Sequence, residues 1–217
     1  MKKINIKKKK HLEMQLEQIP PHPKPKVKLE QYTTPSIIAS DILWNAKTLN
    51  DIENKNIIDL GCGTGIFTIG SAILNAKTSQ GFDIDPESLE TAENTSQKLG
   101  IENIKFHQID VKNTKTLDDY IDSKADTLFQ NPPFGSQKQS IKGADTSFID
   151  LAVKSAKIIY SFHMQSTEEY IIDYFKDKNC DVTHLFHYKF PIGKTYSFHK
   201  KETYLVNVSV IRARNLK

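Results

Sequence analysis

The chain has 217 residues of which 38% are hydrophobic, enough for one sizeable core and short for two independent domains. No apolar run reaches the roughly 18 to 20 residues of a membrane span, and the lysine-rich start leads into His11-Leu12-Glu13-Met14 instead of an apolar leader, so a soluble, cytoplasmic chain is expected, nuclear or nucleolar as well in a eukaryotic host. Two cysteines, Cys62 and Cys180, exclude a disulfide framework and a Cys-x-x-Cys zinc site, and the net charge of +4 is uneven: residues 1–30 hold nine lysines against three glutamates, the remainder 21 basic and 23 acidic side chains.

In chain order, residues 1–28 form a basic, proline-containing tail. Lys2, Lys3 and Lys7 to Lys10 either contact phosphates or are simply solvated. The tail holds a short helix at 11–19, and then Pro20-Pro21-His22-Pro23-Lys24-Pro25 imposes an extended, semi-rigid entry to one domain spanning 29–217. Pro35 opens a second helix capped by Thr34, with Ile37, Ile38, Ile42 and Leu43 on its apolar side, running to about residue 49. From Asn56 the pattern alternates: strands near 56–60, 79–83, 104–109, 126–130 and 157–162, and helices near 66–75, 86–99, 146–155 and 167–178, with a weaker one at 116–121. That is the rhythm of a parallel sheet covered on both faces. Two further strands, 181–190 and 202–210, have no helix between them and should pair antiparallel.

The segment Ile57-Ile58-Asp59-Leu60-Gly61-Cys62-Gly63-Thr64-Gly65 runs a strand into a glycine-rich turn and then a helix, a place where backbone and free N–H groups meet a ligand. Its spacing is G-x-G-x-G, and no frame gives the G-x-G-x-x-G that wraps a pyrophosphate. An acid at Asp59 sits badly beside a diphosphate but well beside the amino group of a methionine moiety, which favours S-adenosylmethionine over NAD. Asp83, in Gly81-Phe82-Asp83-Ile84-Asp85-Pro86, ends the next strand where a carboxylate accepts from ribose hydroxyls, and Asp85 caps the following helix. Asp110 follows the third strand and is placed to accept from an adenine amino group, with Val111 packed on the ring. Cys62 is read as a small residue in a tight loop, not a nucleophile.

Phe129-Gln130-Asn131-Pro132-Pro133-Phe134-Gly135 follows the fourth strand, which delivers it to the carboxyl edge of the sheet beside the ligand cleft. An aromatic amino group is a poor nucleophile because its lone pair is delocalised. Accepting its two N–H groups on the Asn131 side-chain oxygen and the Pro132 carbonyl draws the nitrogen toward sp3 and aims the lone pair at a methyl donor, so positioning and electrostatics replace a shifted general base. Pro132 and Pro133 stiffen the loop, and Phe134 supplies a ring for a planar base, worth about 1 to 3 kcal/mol. Cytosine-carbon methylation needs a cysteine here, and ribose methylation a lysine; the loop has neither.

These residues carry a resemblance. The chain is similar to the methyltransferase-like protein 5 family, small-subunit ribosomal RNA adenine-N6 methyltransferases, from His11 onward, through Leu29-Glu30-Gln31-Tyr32, Asn131 to Gly135, Gly143-Ala144-Asp145 and Phe198-His199-Lys200-Lys201 among other segments, and most specifically through Gln31 to Thr34 combined with Phe198 to Lys201. The resemblance implies a class I, Rossmann-like α/β fold with about seven strands, mostly parallel and ending in an antiparallel hairpin. It implies that Gln31, Thr34, Gly61, Thr64, Ile66, Asp83, Asp110 and Val111 line the cofactor site, together with Asp59, Gly63 and Gly65 of the loop. Thr64 stands where relatives can carry cysteine. It also implies a partner, the small zinc-containing methyltransferase activator subunit, for which the apolar strand at 104–109, with Ile104 and Phe106, is the expected docking edge.

Lys138 and Lys142, in the polar stretch after the tetrapeptide, and Phe198, His199, Lys200 and Lys201 suit phosphates and unpaired bases of RNA. A paired adenine has to be flipped out to reach such a pocket. His184-x-x-His187 in a strand places its rings on opposite faces, so no metal is expected. The competing readings are methylation of a protein glutamine, methylation of guanine N2 in RNA, and a non-catalytic RNA-binding assembly factor.

Overall fold

The computed structural model describes residues 6–26, 29–134, 144–193 and 203–217. Its elements are α1 (Lys9–Leu16), α2 (Ser36–Thr48), β1 (Asn56–Leu60), α3 (Ile66–Ile73), β2 (Thr78–Asp83), α4 (Pro86–Lys98), β3 (Ile104–Gln108), β4 (Ala125–Gln130), α5 (Ala144–Ser155), β5 (Ala156–Met164), α6 (Glu168–Asp177), β6 (Cys180–Gly193) and β7 (Thr203–Asn215). They build one seven-stranded sheet in the order β3-β2-β1-β4-β5-β7-β6, parallel through β5 and antiparallel at β7 and β6. No helix among the described residues is long and apolar enough to cross a membrane.

Because strand side chains alternate, neighbouring residues feed opposite layers. On one face Phe129 and Tyr160 pack with Leu12 and Leu16 of α1, Leu43 of α2 and Phe67 of α3. On the other, Leu128 and Ile159 pack with Ile149 of α5 and Phe175 of α6. Helix α1 of the basic tail is therefore part of the core: Leu12 is fully buried, and a Cβ on Gly70 would come within 3.1 Å of the Leu16 side chain.

Several sequence expectations change in detail. Thr34 does not cap α2, whose N-cap is Pro35; its hydroxyl accepts a hydrogen bond from Asn131 Nδ2 at 3.1 Å. Residues 116–121 make a single turn on the Leu117 carbonyl, since a helix nucleus costs more than two apolar side chains return. The last two strands are longer than expected, with a bulge between Val182 and His184. His187 Nε2 lies 2.6 Å from Glu168 Oε2. Strand β3 is the sheet edge, but Phe106 packs inward, against the positions where Cβ atoms on Gly65 and Gly81 would stand. Asp85 does cap α4, accepting from Glu87 N, with Pro86 in the first turn.

Candidate active site

The loop after β1 is shaped by three glycines at positive φ: Gly61 at 69°, Gly63 at 53° and Gly65 at 88°. Side chains pay steric strain in that region. The amides of Gly61 and Cys62 both bond the Phe82 carbonyl, at 2.7 and 3.0 Å, which ties the loop to the end of β2. Gly65 turns away from the cavity to start α3, packed against Ala92, Phe106 and Ile69. The Cys62 thiol is buried and its pKa is pushed up by that burial, so it is a poor nucleophile.

Beside this loop opens a cavity of about 320 Å³. The strand-end wall contains Asp59, Gly61, Cys62, Gly63, Thr64, Ile66, Asp83, Ile84, Asp110, Val111, Asn131 and Pro133. The opposite wall comes from the segment between α1 and α2: Ile19, His22 and residues 29–34, with Gln31 and Thr34 among them. Of the sequence-selected cofactor residues, all except Gly65 meet at this cavity.

The acids are held differently. Asp59 is buried and its Oδ2 accepts from Thr68 N at 3.0 Å and Thr68 Oγ1 at 2.6 Å. Burial raises its pKa to about 7, with the Thr68 bonds opposing the rise. Burial also raises Asp83, although its two oxygens accept from Gly63 N at 2.8 Å and Asp85 N at 2.9 Å. Asp110 accepts from Lys112 N at 3.0 Å and Asn113 Nδ2 at 2.7 Å. Burial resists ionisation of Asp85 too, but bonds from Lys26, Gln31 and Ser88 outweigh it and hold the carboxyl down at about 2.

At the end of β4, Thr34 fixes the Asn131 amide through its nitrogen, and the buried Asn131 Oδ1 has no hydrogen-bond partner among the described residues. Pro132 is buried, and Phe134 lies with its ring nearly parallel to Tyr32 at 6.4 Å and edge-on to Phe190 at 5.8 Å. Lys138, Lys142, Phe198, His199, Lys200 and Lys201 lie outside the described residues. Among the cavity residues that sequence reasoning missed are His22 and Phe148; Phe148 sits under Gly61, 3.3 Å from where a Cβ on that glycine would be. Nothing in the sequence flags Phe148, whereas a histidine isolated among four prolines is a visible oddity.

A glycine-rich loop with buried acids at successive strand ends suits a cationic adenosyl ligand, because a sulfonium and an ammonium offset carboxylates that burial disfavours. This fold and cavity define a class I methyltransferase, and a family model described as a methyltransferase domain matches residues 51–191. The chain is 34% identical to the rRNA N(6)-adenosine-methyltransferase METTL5 of Danio rerio, covering 94% of this chain and 97% of the relative. It is 42% identical to an uncharacterized protein of Methanocaldococcus jannaschii, covering 96% and 95%. A crystal structure from Pyrococcus horikoshii, provisionally titled an RNA methyltransferase, superposes with a TM-score of 0.85 at 31% identity, covering 98% of this chain and 100% of that one. The chain belongs to the METTL5 family of methyltransferases, whose methyl donor is S-adenosylmethionine.

Proposed function

We propose that the chain transfers a methyl group to the N6 amino group of an adenosine in small-subunit ribosomal RNA. The observation that carries this reading is the buried Asn131 Oδ1 at the cavity, which has no partner among the described residues. A buried acceptor without a donor costs about 1 to 3 kcal/mol, and an incoming N–H removes that penalty. S-adenosylmethionine supplies the electrophilic methyl carbon when bound. Asp83, Asp110 and Val111 hold its nucleoside end, and Asp59 its amino group. Thr34 holds the Asn131 rotamer, so Oδ1 accepts one amino hydrogen and the Pro132 carbonyl accepts the other, aiming the nitrogen lone pair. Phe134 and Tyr32 offer rings on which the extruded base stacks.

Replacing Asn131 by Ala should lower turnover by roughly 100-fold or more, while S-adenosylhomocysteine binding stays within a few-fold. Unchanged N6-methyladenosine formation in ribosomal RNA would overturn the assignment, as would label appearing only in a protein glutamine. Lys138, Lys142 and Phe198 to Lys201 are proposed as RNA contacts, and their alanine variants should raise KM for RNA without altering cofactor affinity.

The proposed partner is the small zinc-containing activator subunit, added as a strand along β3. Support comes from backbone geometry. The Ile109 amide bonds inward to the Asp83 carbonyl, so by alternation Ile104, Phe106 and Gln108 point their amides outward from the sheet edge. Gln108→Pro removes one outward donor; co-purification with the activator unaffected by that change argues against strand addition.

A further inference from the structure

His22 stands on the proline-rich segment that closes one side of the cavity, and the methyl-transfer reading leaves its ring unused. Pro20, Pro21, Pro23 and Pro25 stiffen the segment, and both of its ends are fastened. Ile19 is buried in the core at one end. At the other, Lys26 Nζ lies 2.6 Å and Gln31 Nε2 2.7 Å from the Asp85 carboxylate, and Lys24 reaches Glu87 at 3.5 Å. The ring is thereby pressed on the glycine loop: a Cβ on Gly63 would fall 2.7 Å from His22 Cε1 and 3.0 Å from Nε2.

The hydrogen bonds fix the tautomer. Asp85 is ionised and can only accept, so the Ser88 hydroxyl at 3.0 Å donates to it. Ser88 Oγ then accepts at 2.7 Å from His22 Nδ1, which must carry the proton. Burial lowers the ring's pKa, against the pull of Asp83 and Asp85, and favours the neutral form. The neutral ring then holds a lone pair on Nε2, and Gly63 links it to a second acceptor: the ring lies against Gly63, whose amide donates to the Asp83 carboxylate at 2.8 Å, and both side chains line the cavity.

Two acceptors that meet at Gly63 call for two donors on one ligand. We infer that His22 Nε2 and Asp83 together receive the vicinal hydroxyls of the cofactor's ribose, one each, so that the proline-rich segment is a specificity element for the adenosyl group. The inference rests on the cofactor reading above, and the experiment separates the two.

The full-length chain and its His22→Phe variant are titrated calorimetrically with S-adenosylhomocysteine and with its 2′-deoxy and 3′-deoxy counterparts. Phenylalanine keeps a ring over Gly63 but offers no acceptor. The variant should bind S-adenosylhomocysteine roughly tenfold more weakly, and one deoxy ligand should bind wild type and variant equally, because its missing hydroxyl is the one His22 serves. His22→Gln, which restores an acceptor, should recover part of the loss. Equal affinity of wild type and His22→Phe for S-adenosylhomocysteine would overturn the inference, and so would the same fold-loss for all three ligands, the mark of a packing role. Failure of wild type to bind S-adenosylhomocysteine would overturn the cofactor reading itself.

Discussion

At the scale of single residues, the side chain with the most consequence for pH is Asp59. Its carboxyl titrates at about 7 in the folded chain, raised from the ordinary 3.8 by burial. An acid with a raised folded pKa stabilises the fold while protonated, so its contribution is present below about pH 4 and declines as pH rises to about 7. A cationic ligand prefers the ionised form. Cofactor affinity should therefore increase as pH is raised toward 7, by up to about tenfold per unit, and level off above it. Asp59→Asn, which can still accept from Thr68, should flatten that dependence in calorimetric titrations; an unchanged slope would remove Asp59 from the amino-group role. The importance of Asp59 was legible because an acid before a glycine run is a local pattern. The work of Thr34 was not, because its partner Asn131 lies 97 residues away, and a cap position ahead of a proline was the local alternative.

Among elements, the contact of the glycine loop with β2 and β3 is a tight seam. A Cβ on Gly81 of β2 would stand 2.7 Å from Phe106 Cδ1 and 2.8 Å from Cys62 Sγ. Gly81→Ala should destabilise the fold by about 1 to 3 kcal/mol despite the better strand propensity of alanine, as overpacking does. Adding Phe106→Leu should return part of that loss in urea melts, and strict additivity of the two changes would refute the seam. Strands β1, β2, β4 and β5 and helices α3 and α4 were readable because each carries its own periodicity and turn chemistry. The inward aim of Phe106 was not, since an edge strand's two faces look alike until the glycines opposite it are known. The clasp of the 19–26 segment on α4 was likewise hidden, its bonds joining residues 59 and 66 positions apart.

For the molecule as a whole, one buried cluster joins distant parts of the chain beneath the sheet. Arg212 of β7 bonds both oxygens of Asp51, at 2.8 and 3.0 Å, and Tyr160 of β5 donates to the same carboxylate at 2.6 Å. Arg212→Ala leaves the Asp51 charge buried without its partner and should cost about 3 to 5 kcal/mol. Tyr160→Phe removes one donor and should cost only about 1 to 2 kcal/mol. Urea unfolding of both variants tests this ranking, and equal losses would argue that the cluster contributes as packing and not as paired charge. Nothing in the sequence around Asp51 announces an arginine 161 residues on.

The strand order carries a consequence for how the polypeptide is made. Strand β7 is inserted between β5 and β6, so β6 has no neighbour in the sheet until the later strand slides in. During vectorial synthesis, a fourteen-residue ribbon bearing Phe186, Tyr188 and Phe190 must wait with both edges unsatisfied. Nascent chains stalled before residue 203 should thus be the aggregation-prone species, and the sheet closes only once β7 has been made.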